Sequence, residues 1–228
     1  HLTAMAGRLG ITIDLIKFDD ITKNLPMIVD LKPSGTGYME DLYKAGGSQR
    51  IFYELKDFLY LDAKSVNGTT LGEEIKNSAK WTQNIITDKS NPVFNAGSIA
   101  VLKGTLAPNS AIIKQSAATE SLFIHEGRAV VFEGLEDLAN RIDRDDLDVA
   151  KDDVLVLKSI GPKGGPGMPE AGLIPIPKKL AKQGVKDMVR ISDGRMSGTA
   201  SGTIILHVTP ESYDCLLYTS PSPRDDAT

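Results

Sequence analysis

The chain has 228 residues, of which 41% are hydrophobic and 25% charged, and its formal net charge is −4. Such a composition supports a real hydrophobic core and argues against disorder over most of the length. The acidic balance argues against nucleic acid as the main partner, because phosphate binding needs a basic face, and no apolar run approaches the roughly 18 residues of a membrane helix.

One cysteine, Cys215, excludes an internal disulfide and any metal site made of several cysteines of this chain. A reduced, intracellular setting fits, and the expected location is cytoplasmic, with an organelle as the alternative. The sequence starts at His1 without a Met and without a basic-then-apolar leader. It is therefore expected to be a fragment.

In chain order, Leu2, Met5, Ala6 and Leu9 recur at helical spacing, and Asp14–Ile21 repeats that texture. Lys32–Gly37 reads as a turn, and Tyr38–Ala45 as a helix ended by Gly46-Gly47. Arg50–Leu61 predicts an amphipathic helix with Ile51, Leu55, Phe58 and Leu59 on one side. Thr70 predicts an N-cap for a helix over Leu71–Ala79, supported by Glu73 or Glu74. Beyond about Ile85 the texture changes. Ile99–Gly104, Ala111–Lys114, Ala129–Phe132, Val154–Leu157, Met188–Ile191 and Ile204–Val208 are short apolar or β-branched runs and predict strands. Leu135–Arg141 and Lys178–Gln183 predict helices among them. The stretch Asp143–Asp153 holds six Asp, but it lacks the spacing and closing Glu of a Ca²⁺ loop, so it reads as a solvated connection.

These patterns predict an α/β chain with a boundary near residues 80–90: a helical N-terminal part, 1–82, and a β-rich domain, 83–214. The tail, 215–228, is Pro/Ser/Asp-rich with little to bury. It resembles translated adapter sequence and is set aside, Cys215 with it.

Two loops carry the unusual chemistry. Ile191–Thr203 packs three Ser, two Thr and three Gly into thirteen residues between two strand-like runs. Upstream, Gly161–Glu170 is a Gly/Pro-rich loop ending in a carboxylate. Neither holds a P-loop, a G-x-G-x-x-G motif or a G-x-S-x-G elbow. His207, in an apolar run, reads as a core residue, and no Cys/His spacing suits zinc. A carboxylate on a rigid loop, Glu170, suits a hard cation such as Mg²⁺. Ser197, among backbone N–H groups, can serve as base or nucleophile where a cation lowers its pKa. On spacing alone, a plain role for either residue as the cap of a following helix carries more weight.

Taken in order, the runs Gly161–Glu170, Val189–Thr199 and Leu206–Glu211 resemble the C-terminal domain of the dihydroxy-acid dehydratase/phosphogluconate dehydratase family. Gly97–Pro108 and His125–Glu133 add to the likeness, which extends over about residues 1–212. Met168–Gly172 with Ile174–Pro177, and Arg195–Ala200, are similar to the sugar-acid (aldonate) dehydratase branch. The resemblance implies an N-terminal domain bearing an iron–sulfur cluster, [2Fe-2S] or [4Fe-4S], and most Mg²⁺ ligands. It implies a β-barrel-like swivelling C-terminal domain similar to the small domain of aconitase. It assigns Glu170 to Mg²⁺, Ser197 to the catalytic base and Thr199 to substrate contact. The implied reaction is dehydration of a 2,3-dihydroxy sugar acid, such as arabinonate, xylonate or galactonate, to a 2-keto-3-deoxy acid. The alternatives are dihydroxy-acid dehydratase of branched-chain amino-acid synthesis and a non-catalytic binding module of swivelling-barrel type. The full-length enzyme is expected to be a homo-oligomer. Because residues 1–214 contain no Cys, the cluster ligands are expected elsewhere and this piece alone is expected to be inactive.

Overall fold

The computed structural model describes residues 2–78, 83–165, 167, 169–198 and 201–214. Contacts divide the chain into two units, residues 19–98 and the remainder. Among the described residues no helix is long and apolar enough to cross a membrane.

The periodic segments at the start become helices α1 (Leu2–Arg8) and α2 (Leu15–Asn24). Leu2 and Met5 of α1 and Leu9 just after it, the predicted apolar stripe, are exposed. Helix α3 (Met39–Lys44) stops where expected, yet Gly46 does more than end it. With φ of 111° it occupies the N-cap position of α4 (Gly47–Glu54), a conformation that suits glycine. Helix α4 therefore starts earlier than the predicted span and ends at Glu54 instead of Leu61, followed by a 3-10 turn over Lys56–Phe58. The physical reason is tertiary. Ile51, Leu55 and Leu59 still pack with Ile28 and Ile86 in the core of this unit, while the tight turn leaves Phe58 exposed. The capping box forms as predicted: Thr70 Oγ1 accepts from Glu73 N at 3.3 Å and Glu73 Oε2 accepts from Thr70 N at 2.8 Å. It starts a short helix, α5 (Leu71–Ile75), and the end of the predicted span, Ala79, lies outside the described residues. Residues 83–98 pack with this unit, Ile85 and Ile86 joining its core.

The second unit is built on one six-stranded sheet in the order β1-β2-β6-β5-β4-β3. Its strands are β1 (Ile99–Leu102), β2 (Ser110–Lys114), β3 (Ala129–Phe132), β4 (Val154–Leu157), β5 (Arg190–Ser192) and β6 (Ile204–Thr209). β3, β4, β5 and β6 run parallel, and β1, β2 and β6 pair antiparallel. This is the α/β class predicted from the runs. Strand β4 is buried along nearly its whole length, as parallel strands covered on both faces are. Around it Phe132, Leu155, Leu157, Ile160, Ile174 and Met188 form the core, joined by α6 (Leu135–Arg141) through Leu138 and α7 (Lys178–Lys182) through Leu180.

The acidic connection is solvated as its composition predicts, five of its six Asp being exposed, with Asp153 as the exception. Asp153 is 7% exposed; it accepts from Arg128 Nη2 and from Ala150 N, both at 2.8 Å. Asp148 pairs with the same arginine, Asp146 with Arg144, and Asp143 with Lys178. These three carboxylates thus carry a cation partner at the surface while staying in contact with water.

A buried polar cluster fixes the strand that leads into the Ser/Gly loop. Arg190, 4% exposed, pairs through Nη2 with Asp187 Oδ1 at 2.6 Å and donates from Nη1 to Ile174 O at 3.0 Å. Asp187 also accepts from the hydroxyls of Thr119 and Thr203, each at 2.7 Å. Gly202, at φ of 117°, lies so close to Arg190 Nη2 that a Cβ there would overlap it. Burial alone would raise the Asp187 carboxyl, but the Thr119 and Thr203 bonds and the Arg190 charge outweigh it and hold it below the usual aspartate range. A depressed native value adds stability that is full above the unfolded pKa of about 3.9 and fades as pH falls through the native value. Asp187→Ala, which strands a buried guanidinium, is expected to cost about 3–5 kcal/mol in urea unfolding at neutral pH. The same substitution should flatten the acid limb of the stability curve below about pH 4.

Candidate active site

Because β4, β5 and β6 are parallel, the segments leaving them emerge at one edge of the sheet. The Gly/Pro-rich loop follows β4, and the Ser/Gly loop follows β5. In open α/β sheets the carboxyl ends of the strands are where ligands bind. Topology therefore puts the two loops singled out in the sequence at the same edge.

Asp193, the first residue after β5, ties these segments together. It is 2% exposed. Its Oδ1 accepts from Ile160 N at 3.0 Å, and its Oδ2 accepts from Ser159 N at 3.2 Å, Ser212 N at 3.0 Å and Ser212 Oγ at 2.6 Å. One buried carboxylate thus receives donors from the exits of both β4 and β6. Ser192 reinforces it, donating from Oγ to Leu157 O at 2.9 Å and accepting from Gly194 N at 3.0 Å. A Cβ on Gly194 would come within 2.6 Å of Ile160 Cγ1, so the two turns leave no room for a side chain there.

Two non-glycine residues take left-handed backbone in this region: Ser159, at φ of 59°, and His207, at φ of 53°. Both touch the Asp193-Gly194 turn. Ser159 does so through the bond already given, and His207 N donates to Gly194 O at 3.1 Å. His207 sits where the β2/β6 register slips, two residues of β6 facing one of β2, which is a β-bulge. The predicted core histidine is thus half-buried, and burial lowers its imidazole pKa, favouring the neutral ring at pH 7. Backbone strain of this kind, about 1–3 kcal/mol per residue, persists where surrounding contacts over-determine it.

The loop after β4 folds back on its own strand. Gly165 N donates to Gly161 O at 2.8 Å, and Lys163 N donates to Glu211 Oε2 at 2.8 Å. Gly164 would place a Cβ 2.9 Å from the Ser159 backbone. The chain then runs to Glu170, whose Oε1 accepts from Arg195 Nη1 at 2.5 Å. Gly172 N donates to Arg195 O at 2.7 Å, and a Cβ on Gly172 would sit 2.7 Å from that same oxygen. Glu170 is therefore held at the Ser/Gly loop by Arg195, which precedes Ser197 by two residues. Ser197 is half-buried and takes part in further interactions of its own. Thr199 lies outside the described residues, as do Pro166 and Met168.

The capping alternative does not hold. The helix after Glu170 is α7, with Pro177 at its N-cap position, and the described residues after Ser197 lead into strand β6. Among the described residues no group of three or more His, Cys, Asp or Glu is placed to hold a metal ion. Glu170 suits a hard cation as a single oxygen donor, so a complete ligand set needs groups beyond these. The sequence's only Cys is Cys215, so the chain by itself does not fit a three-thiolate cluster. Sequence reasoning missed Asp193, Arg195 and Ser212. An Asp-Gly pair after a strand is a turn signal, but nothing local shows that its carboxylate would be buried.

Removing the carboxylate tests this architecture. Asp193→Ala is expected to cost at least about 3 kcal/mol, since several bonds to one buried charge are lost together. In hydrogen exchange followed by NMR, the amides of Ser159, Ile160 and Ser212 should lose protection, while that of Leu155 in β4 keeps most of its own.

Comparison with known proteins agrees with the positions of these loops in sequence. Residues 84–215 match the family model described as dihydroxy-acid/6-phosphogluconate dehydratase C-terminal, and residues 1–74 match the corresponding N-terminal model. A putative dehydratase IlvD1 of Rhizobium meliloti is 48% identical over 211 residues, 92% of this chain and 37% of the relative. An L-arabinonate dehydratase of Rhizobium leguminosarum is 44% identical over 213 residues, with the same coverage. A dihydroxy-acid dehydratase of Halothermothrix orenii is 40% identical over 214 residues, 92% of this chain and 38% of the relative. The chain thus spans little more than a third of the length of these relatives.

Proposed function

The chain belongs to the dihydroxy-acid/6-phosphogluconate dehydratase family, and from that premise we propose that it forms the C-terminal part of a hydro-lyase acting on a sugar acid. The substrate class is a 2,3-dihydroxy aldonate and the product a 2-keto-3-deoxy acid. The observation that supports this reading is the Glu170–Arg195 pair, which joins the loop of Glu170, the proposed metal ligand, to the loop of Ser197, the proposed base.

In this reading Ser197 Oγ takes the proton from C2, the hydroxyl at C3 departs, and the enol that forms tautomerises to the 2-keto acid. The proton from C2 and the hydroxide from C3 account for the water released. A serine hydroxyl is a weak base, and a neighbouring positive charge favours the ionised form it needs. Glu170 would contribute one oxygen to Mg²⁺, which when bound supplies the positive charge that acidifies the C2 proton. The Asp193 turn does the orienting, holding the backbone on which Ser197 rides. Thr199 is assigned to substrate contact on the family pattern. Iron–sulfur ligands would come from a part of the full-length protein outside this chain, whose residues 1–214 hold no Cys.

The aldonate reading is favoured over a branched-chain dihydroxy acid by the relatives named for arabinonate, 44% and 45% identical, against 40% for the first named dihydroxy-acid dehydratase. Turnover assays of the full-length protein on aldonates and on 2,3-dihydroxy-3-methylbutanoate distinguish the two. Ser197→Ala should lower kcat on the preferred acid by about 10²–10⁴-fold or more, with the cluster's absorption spectrum unchanged. Activity of the variant within a few-fold of wild type would remove Ser197 from the role of base.

A further inference from the structure

We propose that Arg195 is a positioning residue that competes with a divalent cation for the Glu170 carboxylate, so that cation binding proceeds by exchange of one counter-ion for another. The inference rests on the reading of Glu170 as a metal ligand and adds a role for a residue to which that reading gives none.

The geometry separates what is fixed from what can move. The backbone around the pair is fixed: Gly172 N bonds to Arg195 O at 2.7 Å, and Gly172 packs too tightly against Arg195 O and Leu206 to carry a Cβ. Upstream, the Asp193 carboxylate and Ser192 hydroxyl pin the turn from which Arg195 projects. The pair itself is accessible, with side chains 32% and 49% exposed for Arg195 and Glu170. An ion pair this open is held only weakly, by a factor of about two to five. Both side chains are long, so exchange of partners is a side-chain movement and leaves the pinned backbone where it is.

Glu170 Oε1 accepts from the guanidinium at 2.5 Å. A dication bound to that carboxylate would be brought close to the fixed positive charge of Arg195, and the two cations repel. Arg195 must therefore swing away when the carboxylate turns to a metal. In doing so it frees a guanidinium beside a site whose proposed substrate carries a carboxylate, a group that guanidinium binds well. Arg195 thus keeps Glu170 ordered at its post, at the cost of some metal affinity.

The test is metal binding in the full-length protein, read by Mn²⁺ electron paramagnetic resonance and by Mg²⁺ calorimetry, on Arg195→Gln, Glu170→Gln and the double variant. Arg195→Gln is expected to tighten metal binding about three- to tenfold, combining release of the pair with loss of a repelling charge. Glu170→Gln should weaken it by tenfold or more, and adding Arg195→Gln to that variant should change affinity by about twofold or less. A merely structural role for Arg195 predicts the opposite sign, weaker metal binding in Arg195→Gln. If Glu170→Gln weakens the metal but Arg195→Gln leaves it unchanged or weaker, the exchange is refuted while Glu170 stands as a ligand. If Glu170→Gln has no effect, the metal-ligand reading fails and the exchange fails with it.

Discussion

A single buried carboxylate, Asp193, is the constraint on which this edge of the sheet depends. A charge removed from water is costly unless donors surround it, and here three backbone N–H groups and one hydroxyl do so. Those donors belong to the exits of β4 and β6, while the carboxylate belongs to the exit of β5. Satisfying one charge therefore sets the mutual geometry of three segments. Bonds of this type are stronger than neutral ones, which is how the turn can hold Ser159 and His207 in left-handed backbone. The two flanking loops inherit their positions from it.

The parallel order of β3, β4, β5 and β6 explains why such a node exists. Parallel strands send their carboxyl ends to one edge, so the loops after β4 and β5 converge there without any special sequence. The antiparallel strands β1 and β2 extend the sheet on the far side of β6. A bulge at His207 lets β6 serve both neighbours: its amide turns from the β2 ladder toward Gly194. A second polar cluster, Asp187 with Arg190, Thr119 and Thr203, closes the base of the Ser/Gly loop. The loop is thus clamped at both ends, and Arg195 and Ser197 lie between the clamps.

Much of this was legible in the sequence, and what was not follows a pattern. The runs at 129–132 and 154–157 and the helix at 135–141 stand where periodicity put them, because each is short and has Gly or Asp within two residues of its start. The Thr70 capping box was readable because its partners are three residues apart. Helix α4 was not, since a 3-10 turn keeps Leu55 and Leu59 in the core while turning Phe58 out, and a helical template cannot tell the two apart. Glu170 and Ser197 were marked by loop composition and by resemblance. Asp193 and Arg195 were not, although both fall inside the quoted motif. Their partners, Ser159, Ile160, Ser212 and Glu170, are distant in sequence, and a bond between distant residues leaves no local trace.

The proposed site joins Glu170 and Ser197 around one metal ion, with the Asp193 turn holding both loops. A crystal structure of the full-length protein with Mg²⁺ and a non-reacting sugar-acid analogue tests it most directly. A Glu170 oxygen is expected about 2.0–2.1 Å from the ion, with Ser197 Oγ facing C2 of the analogue. An ion bound elsewhere, with Glu170 still paired to Arg195 and Ser197 turned away from the analogue, would contradict it.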